Sequence, residues 1–304
     1  MRGLSRTFIS RLKSKSGFLQ PVLNLIKLDS TLCLEIRKSY VNIYYRGGNI
    51  LKIEEKDDSF NAWFDRKYLD ENTTRVPKNL PFLLVSPEDV KKWSDVIPFL
   101  KHEMDLWFGA HPKNEREFQQ LMLWENNIGN SAKSTDYFIC DIEYANLNRR
   151  FDLIAVHWPS SAAERKNNIG LGLAFIEMKY LDNSLTGNAG LKKHIEDINR
   201  FIGEHENLSN IKDEMKTVFN QKLELGLINN QKPIENFSDD KPEYILALVN
   251  HDPASSILKT ELQTLPPCPN VELKFAASSF MGYGLYDQNI FALDAFLRRF
   301  EDQI

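Results

Sequence analysis

Two stretches of the chain, "RRFDLIAVHW" (residues 149–158) and "LGLAFIEMKYL" (residues 171–181), are apolar at nearly every position over the length of a strand. A half-solvated helix shows apolar residues every third or fourth position, and a half-solvated strand every second. A short run with neither gap reads as a strand covered on both faces, the habit of inner strands in layered α/β proteins. "DYFICDIEYANL" precedes the pair, and the polar loop "PSSAAERKNNIG" separates its two members. The three segments therefore read as consecutive strands.

Their neighbours extend the pattern. "NEREFQQLMLWENNIG" reads as a helix with Asn114 as N-cap, Glu115 and Glu117 in the first turn and Gly129 near the stop. After the strands, "GLKKHIEDINRFIGEHE" sets Leu191, Ile195, Ile198 and Ile202 at helical spacing, and "EYILALVNH" is a further strand. The order is helix, three strands, helix, strand. Residues 205–242 are polar and read as an insertion or a surface helix pair, and "VELKFAASSF" and "NIFALDAFLRRFEDQI" add one more strand and a closing helix.

The N-terminal third has another texture. "LCLEIRKSYVNIYY" and "ILKIEEK" flank "RGGN", and Gly47-Gly48 between strand-like runs signals a tight hairpin, whose turn needs positive φ. Residues from about 20 to 70 read as an antiparallel hairpin unit. "SPED" reads as a helix start, with Ser86 as N-cap and Pro87 at the first helical position, within a connecting region with a short helix. The expected domains are a smaller β-rich accessory domain over 1–110 and a main domain over 111–304. "MRGLSRTFISRLKSKSG" carries Arg2, Arg6, Arg11, Lys13 and Lys15 and no acid, so it reads as a solvated helix or basic arm.

Composition excludes several classes. A net charge of -4 with 26 % charged residues is not that of a uniformly basic nucleic-acid coat. No apolar run reaches the roughly 18 residues that would read as a membrane span. Cys33, Cys140 and Cys268 lie far apart without a CxxC or Cys/His cluster, which argues against a disulfide framework or a structural zinc and fits a cytoplasmic protein. "GLGLAF" has Phe175 where a dinucleotide loop needs its third glycine. The chain has no GxSxG elbow or Walker A sequence, and its six histidines have no zinc spacing.

The chemistry concentrates on the apolar strands. Alternation sends Glu177 and Lys179 to one face and Ile176, Met178 and Tyr180 to the other. Asp152 stands in the preceding strand, "FDLIAV". Ionised groups in such surroundings are costly unless paired or bound to metal. Glu-x-Lys itself means little, since it begins at Glu54, Glu164, Glu177, Glu214 and Glu272, but only the pair at 177 lies in a strand apolar on both sides. Two close carboxylates form a hard oxygen site for Mg or Mn. A nearby lysine can orient an attacking water.

These residues, in this order of elements, resemble the PD-(D/E)XK nuclease superfamily over about residues 112–252. The resemblance implies an α/β (α+β) chain with a restriction-endonuclease-like αβββαβ core, a mixed central sheet flanked by helices, and the hairpin-containing domain added before it. It implies a Mg-dependent nuclease acting on nucleic acid, with DNA as the expected substrate. Asp152 and Glu177 would bind the metal together with the Met178 carbonyl, and Lys179 would be the catalytic lysine. Glu115 would be a further acid from the first helix, with Glu117, Lys193 and His194 as supporting candidates, Asp197 as another polar group on that helix, and Asp141 and Glu143 as additional acids. Phe151 stands where many members carry proline before the first acid. The alternative is a catalytically inactive protein of the same fold that binds nucleic acid or scaffolds. Lys192, Lys193, Arg149 and Arg150 could meet phosphates. In the N-terminal domain, Arg37, Lys38, Tyr40, Tyr44, Tyr45 and Arg46 form a basic and aromatic group for DNA, and this domain could also carry a protein partner or a homodimer contact.

Overall fold

In the computed structural model, which describes residues 1–301 apart from 58, 71–72, 147–148, 188–189, 205, 230, 252–254, 279–284, 286 and 288–289, the basic N-terminal segment is helix α1 (Arg6–Lys13) and not a free arm. Ser5 caps it by accepting a hydrogen bond from the Phe8 amide at 2.9 Å. Phe8, Ile9 and Leu12 are buried, and the Phe8 ring meets Phe60 edge-on at 4.8 Å. Arg6 and Lys13 both reach Glu224. A second helix, α2 (Gln20–Leu28), buries Val22, Leu23 and Ile26, so the unit read as a hairpin over about 20–70 opens with a helix, and its strands start at Leu32, where the alternation begins.

From there β1 (Leu32–Ile36), β2 (Tyr40–Tyr45), β3 (Gly48–Lys56), β4 (Ser59–Trp63) and β5 (Leu83–Leu84) form an antiparallel sheet in sequential order. The turn between β2 and β3 is made by Arg46 (φ 48°) and Gly47 (φ 71°), the two positive angles that a two-residue hairpin requires. Gly48 is already a strand residue, opposite Tyr45. A Cβ there would lie 2.6–2.9 Å from Met104, Phe108 and Tyr68, which explains the second glycine. Helix α3 (Pro87–Ala110) begins at Ser86 as expected, with the Ser86 hydroxyl accepting from the Asp89 amide at 3.2 Å. It is not short: its 24 residues bury Val90, Trp93, Ile97, Leu100, Met104 and Phe108 along one side.

Helix α4 (Asn114–Asn127) contains the division between two compact units, Met1–Gln120 with Asn220–Asn229 and Leu121–Phe219 with Asn230–Ile304. We call them the N-terminal and C-terminal units. The C-terminal unit holds β6 (Tyr137–Asn146), β7 (Arg149–His157), β8 (Gly172–Tyr180), helix α5 (Leu191–Gly203) and the first part of helix α6 (Asn207–Leu225). They are followed by β9 (Glu243–Val249), α7 (Ser256–Gln263), β10 (Glu272–Ser278), β11 (Ile290–Ala292) and α8 (Leu293–Glu301). Its mixed sheet has the order β11-β10-β9-β8-β7-β6, with parallel pairing of β8 with β9 and of β9 with β10. The chain is thus a mixed α+β protein, with eight helices and two sheets among the described residues. All seven residues of β9 are buried, as its unbroken apolar run demands.

Residues 207–225 are not a surface insertion. Ile211, Met215, Val218 and Phe219 are buried in α6, and beyond Phe219 the helix belongs to the N-terminal unit. There Lys222, only 2 % exposed, reaches Glu35 on β1 at 2.6 Å, and Arg37 lies 3.8 Å from the same carboxylate. Burial and the charge of Glu35 hold the neighbouring Cys33 thiol protonated. With Cys33 and Cys140 buried and Cys268 partly exposed, a thiol reagent added to the folded protein is expected to label Cys268 alone on a minutes timescale, and all three after denaturation.

Candidate functional site

Strand β8 lies between β7 and β9, pairing with β7 as far as Ile176 and with β9 through Tyr180. Glu177 and Lys179 are each 5 % exposed there. None of the other four Glu-x-Lys pairs is buried at both positions, and Glu272 of the main rival is 62 % exposed. Desolvation is offset locally: Lys179 Nζ donates to Glu177 Oε1 at 2.8 Å, and His194 Nδ1 from α5 lies 3.2 Å from the same oxygen. Oε2 of Glu177 takes no hydrogen bond from the described residues.

Asp152 stands where the β7–β8 ladder stops, one residue before the terminal pair Leu153↔Ile176. Its Oδ2 accepts the Met178 backbone N–H at 2.8 Å, so the carboxylate reaches the backbone between Glu177 and Lys179. The N–H and C=O of a strand residue point to the same side, which turns the Met178 carbonyl toward Asp152 as well. On the other side of Asp152 the β6–β7 pairing passes from Ile142↔Leu153 to Tyr144↔Phe151, with Glu143 between them at φ 53°. Positive φ at a non-glycine strand residue is a local irregularity of the kind that re-aims neighbouring side chains.

Phe151, in the place of the proline, packs its ring on Phe175 at 4.9 Å and on Phe201 of α5 at 5.2 Å. This contact helps to seat the helix that carries His194. Tyr244 of β9, in register with Phe175, is fully buried, and its phenol is held protonated first by burial and then by the charges of Glu177, Asp152 and Asp197. Three carboxylates therefore act on one buried hydroxyl. Tyr244 was not foreseen, because a tyrosine in an apolar strand is ordinary core.

Asp152, Glu177, Met178, Lys179 and His194 thus form one group. Lys193 faces Asp197 at 3.0 Å, and Lys192 pairs with Glu261. Asp141 is fully buried and not solvated as an edge-strand acid would be. Arg150 is exposed, and the Arg149 side chain lies outside the described residues. Glu115 and Glu117 lie on the part of α4 that belongs to the N-terminal unit, where Glu117 grips Arg46 at 3.0 Å. Among the described residues no set of three His, Cys, Asp or Glu side chains is arranged to hold a metal ion. The donors at the site, two carboxylates and a carbonyl, are all oxygen, the chemistry that suits a hard divalent cation.

A second polar cluster, also not foreseen, gathers at the start of β9. Glu243 accepts from Tyr137 at 2.7 Å and Lys274 at 2.9 Å, and its Oε1 lies 2.8 Å from His157 Nδ1. His157 is on β7 and Glu243 on β9; the strand between them presents Gly172 opposite His157. A Cβ on Gly172 would come within 3.0 Å of the His157 Cβ, so the glycine leaves the imidazole its path. Asp287 lies 3.3 Å from His157 Nε2 without hydrogen-bond geometry.

Desolvation pulls the His157 pKa down, but the Glu243 hydrogen bond and charge outweigh it and raise the value above its ordinary level. His157, Lys274 and Tyr137 together overcome desolvation and lower Glu243 to about 2. The raised histidine stabilises the fold fully below its unfolded pKa of about 6.5 and loses this as pH rises through the folded value. The depressed glutamate stabilises above its unfolded value of 4.5 and loses this as pH falls toward 2. Melting temperature against pH is therefore expected to fall above pH ~6.5, and His157→Gln to flatten that decline.

No family model, curated protein or solved structure matches the chain. Its reading rests on the residues and the geometry.

Proposed function

We propose that the protein is a metal-dependent nuclease of the PD-(D/E)XK type, hydrolysing phosphodiester bonds of nucleic acid, with DNA as the substrate. The observation that carries this reading is the convergence of Asp152 on the Met178 amide between Glu177 and Lys179. The order α4, β6, β7, β8, α5, β9 in a mixed sheet supports a restriction-endonuclease-like core.

In this reading Asp152, Glu177 through its Oε2, and the Met178 carbonyl hold Mg or Mn. The ion supplies Lewis acidity, lowering the pKa of a water and neutralising charge on the phosphoryl oxygens. Lys179 keeps its proton on Nζ and donates hydrogen bonds to the attacking water or to the developing phosphoryl charge. His194 holds Glu177 from the helix side, which keeps the carboxylate in one orientation. Met178 and Ile176 bury the opposite face of the strand and keep β8 rigid.

Plasmid and single-stranded DNA incubated with wild-type protein and Mg or Mn should be cleaved, and chelation should stop the reaction. Absence of cleavage under all these conditions would defeat the reading. One observation favours an inactive binding or scaffolding protein on the same fold: Glu177 is already charge-compensated by Lys179. Nucleic-acid binding without cleavage, metal or no metal, would select that alternative.

A further inference from the structure

The basic and aromatic group expected to face DNA in the N-terminal unit is in large part consumed by the fold itself. Arg37 is buried beside Glu35, the Tyr45 hydroxyl donates to Asp105, and Arg46 pairs with Asp105 and Glu117. A different set of residues in this unit is open. A cavity of about 620 Å³ is lined by Trp63, Phe64, Phe82 and Trp93, with Arg66, Lys78 and Asp70 as the charged groups among the described residues. Such a volume is typical of sites for small rings.

The aromatic wall is held in place. The Lys52 ammonium lies 4.2 Å from the Trp63 ring centroid and 3.9 Å from that of Tyr40, and Glu54 pairs with it at 3.4 Å. Trp63 therefore has a cation against its ring, and Phe82 stands 6.1 Å away, tilted by 30°. The Trp93 indole donates to the Pro81 carbonyl at 2.8 Å and so holds the segment that carries Phe82. Phe82 itself is 57 % exposed, so its ring face is open to a partner. Arg66 and Lys78 are exposed and make no ion pair among the described residues, whereas Asp65, the acid beside Arg66, is taken by Lys67 at 2.6 Å.

We propose that this cavity binds single-stranded nucleic acid, with an unpaired base stacked on Phe82 over Trp63 and the flanking phosphates on Arg66 and Lys78. The inference rests on the nuclease reading in that it names the form of the substrate. Fixed rings beside unpaired cations are the arrangement that single strands use, since every base has a stacking face and each linkage carries a charge. A purely apolar protein segment would use the rings and leave the cations without a role. A duplex would keep its bases stacked inside and could not enter.

Fluorescence anisotropy with labelled oligothymidylate and oligouridylate, in chelator so that no strand is cut, tests this directly. Phe82→Ala and the double change Arg66→Glu with Lys78→Glu are each expected to weaken binding by about tenfold or more. The double change should also flatten the dependence of log affinity on log salt by about 1.4, the loss of two phosphate contacts to a single strand. Because these side chains are exposed, urea midpoints should stay at the wild-type value. Binding of either polymer supports the inference, and oligodeoxyuridylate, which differs from oligouridylate only at the 2′ position, assigns the sugar. No binding, equal binding by the variants, or competition by duplex as strong as by single strand would overturn it. Loss on Phe82→Ala without loss on charge reversal would overturn the assignment of phosphates to Arg66 and Lys78. Binding by a protein that never cleaves supports this site while removing the hydrolytic reading, so the two can fail separately.

Discussion

Asp152→Asn is expected to lower metal-dependent cleavage by about 10³-fold while leaving the melting temperature near the wild-type value. The amide oxygen can still accept the Met178 N–H that the carboxylate accepts at 2.8 Å, so the strand end is preserved. What is lost is the negative charge of the carboxylate proposed to hold the metal. Lys179→Met should reduce cleavage by a similar factor, on the scale of losing one group that stabilises developing charge. It differs in stability, because it removes the 2.8 Å partner of a buried carboxylate and leaves Glu177 to His194. That variant should melt lower. Cleavage at wild-type rates by Asp152→Asn would sink the assignment of this site.

The largest stability effect is expected in the N-terminal unit, at Glu35. Its carboxylate is fully buried, with Lys222 at 2.6 Å and Arg37 at 3.8 Å. Removing the anion leaves two buried cations facing one another, and breaking a buried pair costs about 3–5 kcal/mol. Glu35→Leu is therefore expected to lose at least that much. Lys222→Met leaves one cation and one anion together, since Arg37 remains beside Glu35, and should cost clearly less. The order of the two variants, measured by urea unfolding, is the test: equal losses would mean that Arg37 does not stabilise Glu35. Because Lys222 is on the part of α6 that joins the N-terminal unit, both substitutions should loosen residues 220–229, which hydrogen exchange would detect.

Much of the C-terminal unit was legible in the residues. Unbroken apolar runs mark β7, β8 and β9 because strands covered on both faces have no position at which a polar residue is free. Ser86 marks the start of α3 because a helix leaves its first amides unsatisfied and its hydroxyl accepts one of them, whereas Asn114, read as an N-cap, is already the first residue of α4. The lengths were harder. Helix α3 continues through Pro98 because the apolar line from Val90 to Phe108 is buried throughout, and packing outweighs one lost hydrogen bond. Helix α1 docks although its segment is rich in cations, because Phe8, Ile9 and Leu12 need only one buried face, and the polar and basic positions between them take the other.

Alternation along β8 by itself determined that Glu177 and Lys179 share a face, and the apolar setting determined that both are buried, since each follows from local geometry and composition. Which partners they meet was decided by the tertiary structure alone. His194 and Lys193 are adjacent in sequence, yet one reaches Glu177 and the other turns to Asp197, because the seating of α5 selects one direction. Glu117 answers Arg46 across 71 positions of sequence, a pairing that no local pattern announces. Lys222 and Glu35 are far apart in sequence and meet in a core that neither local pattern announces. Periodicity reports which face of an element is covered; the identity of what covers it depends on how distant elements pack, and that information is not local.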